Sequence, residues 1–467
     1  MRLIPIYTWN KGVLEFNKRS GRLSKKPWFQ GVLLMVCVLI AMLLANLPFT
    51  RELYHDILET HIQLHLHSDN GLVDVLFPRD LTVEKFINDI LMVIFFFTVG
   101  LEIRREIAHG ELSSPKKAML PVIAAFGGVI APALIYTFIN HGSMAASGWG
   151  IPTATDIAFA VCILSMLGDK VPVSLKVFLT ALAIADDLIA ILVVALFYGG
   201  QINFLLLGIA FAVILFTLLL RHVGEKHMFP YLLCAFIVWA LFFYSGIHAT
   251  MSGVVMAFLI PATSRFNKAQ YVRKRNRYLA QLKELDSIDN EPFPNGPQKH
   301  VLRRLESVAH GSMDMSYRVE HALNPWVNFL IMPVFALANA GVVISDPSYF
   351  NVFSYDAAMG SVSMGIFLGL LLGKPVGITL FSWLAIKLKV GAMPEKANWA
   401  MFFAVACLGG IGFTMSIFVD TLSFGEQAPD VMNHLRDAGK IAVLMGSVCA
   451  GLLGTVLINL VSAAKKK

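Results

Sequence analysis

Two aspartates, Asp186 and Asp187, stand side by side in "ALAIADDLIAILVVALFY" (181–198), a run with no other charge. An aspartate at the centre of a membrane-crossing helix costs about 2.5–3.5 kcal/mol on insertion scales, so a pair there is kept for use. Neighbouring residues on a helix project about 100° apart, so the two carboxylates cannot both face one partner and are expected to do different jobs. A third acid, Asp156, follows Pro152, Thr153 and Thr155 in "GIPTATDIAFAV" (150–161). That order reads as a broken helix whose freed backbone groups line a polar cavity or are buried in protein. A matching break, "CLGGIGFTMSIF" (407–418), carries Gly409, Gly410 and Gly412. Two interrupted spans, one in each half of the chain, point to a midplane binding site where they cross. Lys374, central in "MGIFLGLLLGKPVGITLFSWLAI" (364–386), needs an internal anion or a helix C-terminus, and one of the aspartates is the expected partner. The plainer alternative is a buried ion pair that only fixes helix packing. Hard oxygen donors suit sodium or lithium rather than a soft metal. Adjacent carboxylates also repel and titrate together, so protons and the cation compete for the same oxygens, which is the logic of an exchanger.

Such residues need a membrane scaffold, and the composition supplies one. The 467 residues are 56% apolar and 15% charged, with a mean hydropathy of +0.66, too apolar for a soluble globule. The apolar residues fall into about twelve runs long enough to cross a bilayer core of roughly 30 Å as helices. The expected spans are 28–47, 86–101, 119–139, 151–167, 175–197, 202–220, 230–244, 246–261, 325–344, 361–386, 399–423 and 440–462. The fold class is therefore an all-α membrane protein, with spans 4 and 11 interrupted. A basic leader, 1–27, has no small-residue cleavage site, so no cleavable signal peptide is expected before the transmembrane domain, 28–462. Of 38 Lys and Arg, 32 fall on the side of the N-terminus, which places both termini, including the tail 463–467, in the cytoplasm. The net charge of +7 is accounted for by that topology, leaving no motive for a nucleic-acid partner. The five cysteines have no metal-like spacing and are read as packing residues.

Two segments outside the spans have local structure. In the outer loop 48–85, "IQLHLHSDNGLVDVLF" (62–77) alternates apolar and polar residues around a turn signal, a β-hairpin. It is read as an ornament or a subunit contact, with a metal role for His65 and His67 as the alternative. The long basic cytoplasmic loop 262–325 has helical character in "KAQYVRKRNRYLAQLKEL" and a break at "DNEPFPNGPQ". It is read as a solvated appendage, the alternative being a site for a regulatory partner.

At these residues the chain resembles the NhaA-type sodium/proton antiporters. The likeness runs in order through "VGLEIRRE" (99–106), "IPTATDIAFA" (151–160), "ALAIADD" (181–187), "SGIHAT" (245–250), "EHALNPW" (320–326), "FALANAGV" (335–342), "GKPVGI" (373–378) and "GGIGFTMSIF" (409–418). The resemblance implies inverted repeats whose unwound segments cross, and a pH-regulated, electrogenic exchange of sodium or lithium for protons by alternating access. It implies Asp187 as the cation carrier, Asp186 as the partner of Lys374, Thr155 as an aid to cation binding and Asp156 as compensation for helix-end dipoles. Glu102, Arg105, Glu106, His248, Glu320 and His321 match positions associated with the pH response; a solvated helix end is the alternative. The family also implies a homodimer through the hairpin, a bacterial inner membrane and no cofactor. Three features depart from the family pattern: Asn324 where a second histidine is common, the longer inner loop of 265–318, and Asp420, which either reaches the outer surface or modifies ion access.

The expected protein is thus a transporter and not an enzyme. A sodium-coupled symporter would need polar groups for an organic solute, and the spans offer few. An intramembrane aspartic protease needs its acids on different helices sharing a proton, whereas these are adjacent on one.

Overall fold

The computed structural model describes residues 27–62, 64–67, 74–77, 81–110, 112–200, 202–225, 227–264, 266–286, 294–344, 351–353, 359–424 and 429–466. The basic leader up to residue 26, the hairpin turn at 68–73, residues 287–293 of the inner loop and the last residue of the tail lie outside them.

Backbone groups in lipid must be bonded within their own segment, so apolar runs of this length fold as helices. Among the described residues nine helices are long and apolar enough to cross a membrane, from Trp28–Asn46 to Val431–Ala464. Two further pairs are broken: Met144–Thr153 with Ile157–Lys170, bent by 41°, and Trp399–Leu408 with Phe413–Ser423, bent by 51°. One shorter apolar helix covers Thr250–Leu259. Side chains such as Phe138, 88% exposed, and Phe204, 78% exposed, are the apolar surface that a bilayer would cover. This is a multi-pass membrane protein.

Several helices outrun their apolar stretches. The expected span 325–344 begins at Met315, capped by the Asp314 carboxylate, which accepts from the Tyr317 N–H at 3.4 Å. The expected span 440–462 belongs to a helix that starts at Pro429. Hydropathy marks depth in lipid, while the helix ends where a cap or a breaker stands. In 246–261 the helix itself is only Thr250–Leu259, because Gly246, at φ +85°, closes the preceding helix in the left-handed region.

The chain forms two compact units. The first comprises residues 1–92, 106–200 and 328–467. Within it the helix Pro115–Ile139 packs on both the aspartate helix, Val173–Phe197, and the lysine helix, Lys374–Lys387. The approach to the lysine helix is backbone to backbone, since a Cβ on Gly127 would strike the carbonyl of Gly377, and the reverse. Lys374 itself follows a π turn, Gly369–Gly373, in which its N–H donates to the carbonyl of Gly369, five residues back. Pro375, next in line, has no N–H, and the widened turn absorbs that missing donor. Outside the spans, Tyr54 on the helix Arg51–Glu59 donates to the Leu337 carbonyl at 2.6 Å, and burial holds its phenol well above the usual tyrosine pKa. The strands Leu64–His67 and Asp74–Phe77 pair antiparallel, Leu64 opposite Phe77, as the alternation predicts.

The second unit comprises residues 93–105 and 201–327. Its core gathers Phe97, Leu101, Tyr231, Val238, Phe242, Met256 and Val319. The basic segment folds into two helices packed on each other, Lys268–Asp286 and Gly296–Ser312. A capping box opens the second: Asn295 accepts from the Gln298 N–H at 3.0 Å and Gln298 accepts from the Asn295 N–H at 2.7 Å. Gln298 Nε2 also donates to Asp286 of the first helix at 2.9 Å. Cys37, Cys162, Cys234 and Cys407 are buried free thiols in the spans.

Candidate functional site

Four segments of the first unit meet at the breaks. The aspartate helix is buried around its middle, where Asp186 and Asp187 are each 2% exposed beside Ala183, Ile184 and Ala185. Lys374 enters from the lysine helix, fully buried, its stem reaching Gly128. Its Nζ donates to Asp186 Oδ2 at 2.5 Å and to Thr155 Oγ1 at 2.6 Å. The second oxygen of Asp186, Oδ1, is buried and accepts no hydrogen bond. Asp187, the next residue on the helix, also acts on Lys374 electrostatically. Their separation of about 100° on the helix turns the two carboxylates in different directions, and Asp186 is the one that meets the Lys374 ammonium at 2.5 Å.

The two breaks are tied to each other. Thr155 Oγ1 donates to the Gly409 carbonyl at 2.9 Å, and the Asp156 N–H donates to the Ile411 carbonyl at 2.7 Å. Asp156 caps both half-helices: Oδ1 accepts from the Phe159 N–H at 3.3 Å, and Oδ2 accepts from the Thr414 N–H at 3.2 Å and from the Thr414 hydroxyl. A carboxylate against two helix N-termini meets both dipole ends with the favourable sign. Phe413, which opens the second half-helix, sits at φ +28°, a left-handed value that costs a non-glycine residue strain, while its ring lies 4.2 Å from that of Phe159. The glycines before it keep ordinary negative φ and serve close packing instead, since a Cβ on Gly410 would strike the carbonyl of Leu370.

The expected site residues Thr155, Asp156, Asp186, Asp187 and Lys374 are thus brought together. Thr414, which holds Asp156, was quoted in the break motif but not singled out. Its signal was available: a hydroxyl in the first turn after a glycine break, where an acid across the site needs a donor. Asp420 does not reach the surface, being fully buried.

The pH-response candidates fall elsewhere. In the second unit Arg105 pairs with Glu320, and its other branch lies 3.7 Å from Glu102. Glu102 and Arg105 are more than a third exposed, whereas the Glu320 side chain is 4% exposed, so this cluster is only half a solvated face. His321 is exposed and stacks on Tyr317 with ring centroids 5.8 Å apart, and His248 lies in the turn between Ser245 and Thr250. Glu106, in the last turn of the helix Met92–His109, belongs to the first unit. Among the described residues no group of three or more His, Cys, Asp or Glu could hold a metal ion.

Helices that cross the membrane, two of them broken, around a buried cluster of charge and hydroxyls define a multi-pass ion transporter. The sequence matches the profile of the family described as Na+/H+ antiporter 1 over residues 22–458, and the chain belongs to that family. It is 42% identical over 429 residues to a Na(+)/H(+) antiporter NhaA of Oleidesulfovibrio alaskensis, covering 92% of this chain and 91% of the relative. It is 39% identical to Na(+)/H(+) antiporter NhaA 2 of Syntrophotalea carbinolica, covering 93% and 94%, and 40% identical to a Na(+)/H(+) antiporter NhaA of Acidithiobacillus ferrooxidans, covering 93% and 95%. Members of the family are transporters, not enzymes.

Proposed function

We propose that this protein exports sodium, and also lithium, in exchange for inward-moving protons, by alternating access around the aspartate pair. The observation that carries the reading is the junction itself. Two adjacent buried acids, one of them bonded to a buried lysine, lie beside hydroxyl and carbonyl oxygens at two helix breaks. Asp187 binds the cation with the help of Thr155. Asp186 and Lys374 form the ion pair that protons break: a proton on either aspartate weakens the site for sodium, and sodium binding expels it. Asp156 compensates the helix ends. More protons enter than sodium leaves, so the exchange is electrogenic.

Twelve spans with inverted repeats are supported by the nine long helices, the two bent pairs and the short apolar helix Thr250–Leu259. The reading as one transmembrane domain over 28–462, with a cytoplasmic leader, tail and 262–325 loop and cytoplasmic termini, rests on the apolar runs and the Lys and Arg bias, and the bacterial inner membrane rests on the family. The homodimer through the hairpin rests on the resemblance to the family, and the two strands that would form it pair antiparallel within the chain. The Glu102–Arg105–Glu320 cluster, with Glu106, His248 and His321, is read as the device through which cytoplasmic pH sets activity, as the resemblance to the family implies.

Everted vesicles carrying a preset pH gradient test this. Addition of sodium collapses the gradient with the intact chain and leaves it in place with Asp187→Asn; equal responses refute the mechanism.

A further inference from the structure

We infer that Asp420 is a second proton-binding site of this carrier, a relay between the surface at the far end of the second broken helix and the break itself. The inference rests on the exchange reading above. Asp420 lies two turns beyond the break on Phe413–Ser423 and is fully buried, yet both of its carboxyl oxygens accept no hydrogen bond. Buried polar groups are nearly always partnered, so two empty acceptors on one carboxyl group mark a place where a small species comes and goes.

The surroundings favour this use. Gly439 of the C-terminal helix faces the carboxyl group, and a Cβ there would collide with Oδ1, so the space exists because the residue is glycine. From the same helix Arg436 donates through Nη2 to the carbonyl of Thr421, while its buried Nε donates to nothing. An acid with open acceptors and a guanidinium with an open donor share this pocket without bonding each other, which is the arrangement a bridging water satisfies. One turn back toward the break, Ser416 is fully buried with its hydroxyl also unpartnered, and a further turn back is Gly412, where a Cβ would strike Ser416 Oγ. Gly412, Ser416 and Asp420 are spaced i, i+4, i+8, one face of the helix, about 12 Å from end to end at 1.5 Å per residue.

The charged and titratable groups that face Asp420 are Arg436, Asp437 and Lys440 of the C-terminal helix and the phenols of Tyr136 and Tyr198. Met144–Thr153 and Met332–Asn339, which also pack on this helix, carry no titratable side chain. A sodium ion here would meet two cationic side chains, Arg436 and Lys440, that offset the two carboxylates Asp420 and Asp437, whereas a proton needs a single lone pair. Hydronium delivers its proton to a carboxylate oxygen of Asp420 and leaves as water. The acid then passes the proton through water at Ser416 Oγ to the break and returns to the carboxylate.

Proteoliposomes separate this role from a structural one by two fluxes: sodium-driven proton movement, and exchange of labelled for unlabelled sodium, which moves no proton. Asp420→Asn lowers the first by about tenfold, less than the roughly 100-fold of an obligatory proton-transfer group because water can bypass a relay, and leaves the second within about twofold. Asp420→Glu restores the first. Equal loss of both fluxes, or no loss of either, overturns the relay. Arg436→Gln, at a half-buried position that tolerates change better, shifts the pH dependence of proton flux without altering sodium exchange; an unchanged pH profile overturns the relay even where the Asp420 variant does not fold. An intact chain that moves no protons with sodium fails the exchange reading itself, a result distinct from all of these.

Discussion

Thr414→Val deletes one hydroxyl and keeps the shape of the side chain, so it isolates the bond from Thr414 Oγ1 to Asp156 Oδ2. After the change that oxygen keeps only the Thr414 N–H at 3.2 Å, and the tie between the two broken helices rests on Thr155 to Gly409 and on Asp156 to Ile411. A hydrogen bond to a charged group contributes about 1.5–3 kcal/mol. Bonds between membrane helices average only about 0.6 kcal/mol with a maximum near 1.7, because the unfolded chain in lipid also finds partners. The ranges meet near 1.5 kcal/mol, which is the expected loss, and Thr414→Ser should stay within about 0.5 kcal/mol of the parent because it keeps the donor. The assay is reversible unfolding in mixed detergent, run as a double-mutant cycle with Asp156→Asn. A loss below about 0.5 kcal/mol for the valine variant, or additivity with the Asp156 change, refutes the claim that this carboxylate joins the breaks through Thr414.

Three further outcomes follow from the packing. Lys374→Met removes the cation beside Asp186 and should cost about 3–5 kcal/mol in the same unfolding assay, while the double change Lys374→Met with Asp186→Leu recovers most of it. Gly377→Leu forces a side chain against the Gly127 carbonyl and should destabilise by about 1–3 kcal/mol or more, read as a lower unfolding midpoint. Asn295→Ala breaks the capping box and should speed amide hydrogen exchange in Gly296–Ser312 through a local loss of about 1 kcal/mol, with sodium-driven proton flux unchanged.

The sequence by itself determined the membrane class, because long apolar runs leave the backbone no alternative to helix. It also marked the chemistry, since an acid or a lysine in the middle of such a run is too costly to be incidental. Asp186, Asp187, Lys374 and both breaks were legible for that reason, as was the hairpin, whose alternation is a property of neighbours in the chain. The ends of the helices were not. Met315 and Pro429 begin helices well before the apolar residues do, because capping by Asp314 or continuation of the ladder owes nothing to hydropathy.

The residues alone left open which aspartate takes the lysine, and the family resemblance assigned it to Asp186; only the tertiary structure decided that one carboxylate caps two helices at once through Thr414, and that Asp420 is buried with its oxygens open. Residues 156 and 414, or 186 and 374, are hundreds of positions apart, and their pairing is fixed by how closely glycine-faced helices such as those at 127 and 377 approach. One-dimensional patterning carries the cost of burying a charge, but the partner that offsets the cost is a matter of distance in space.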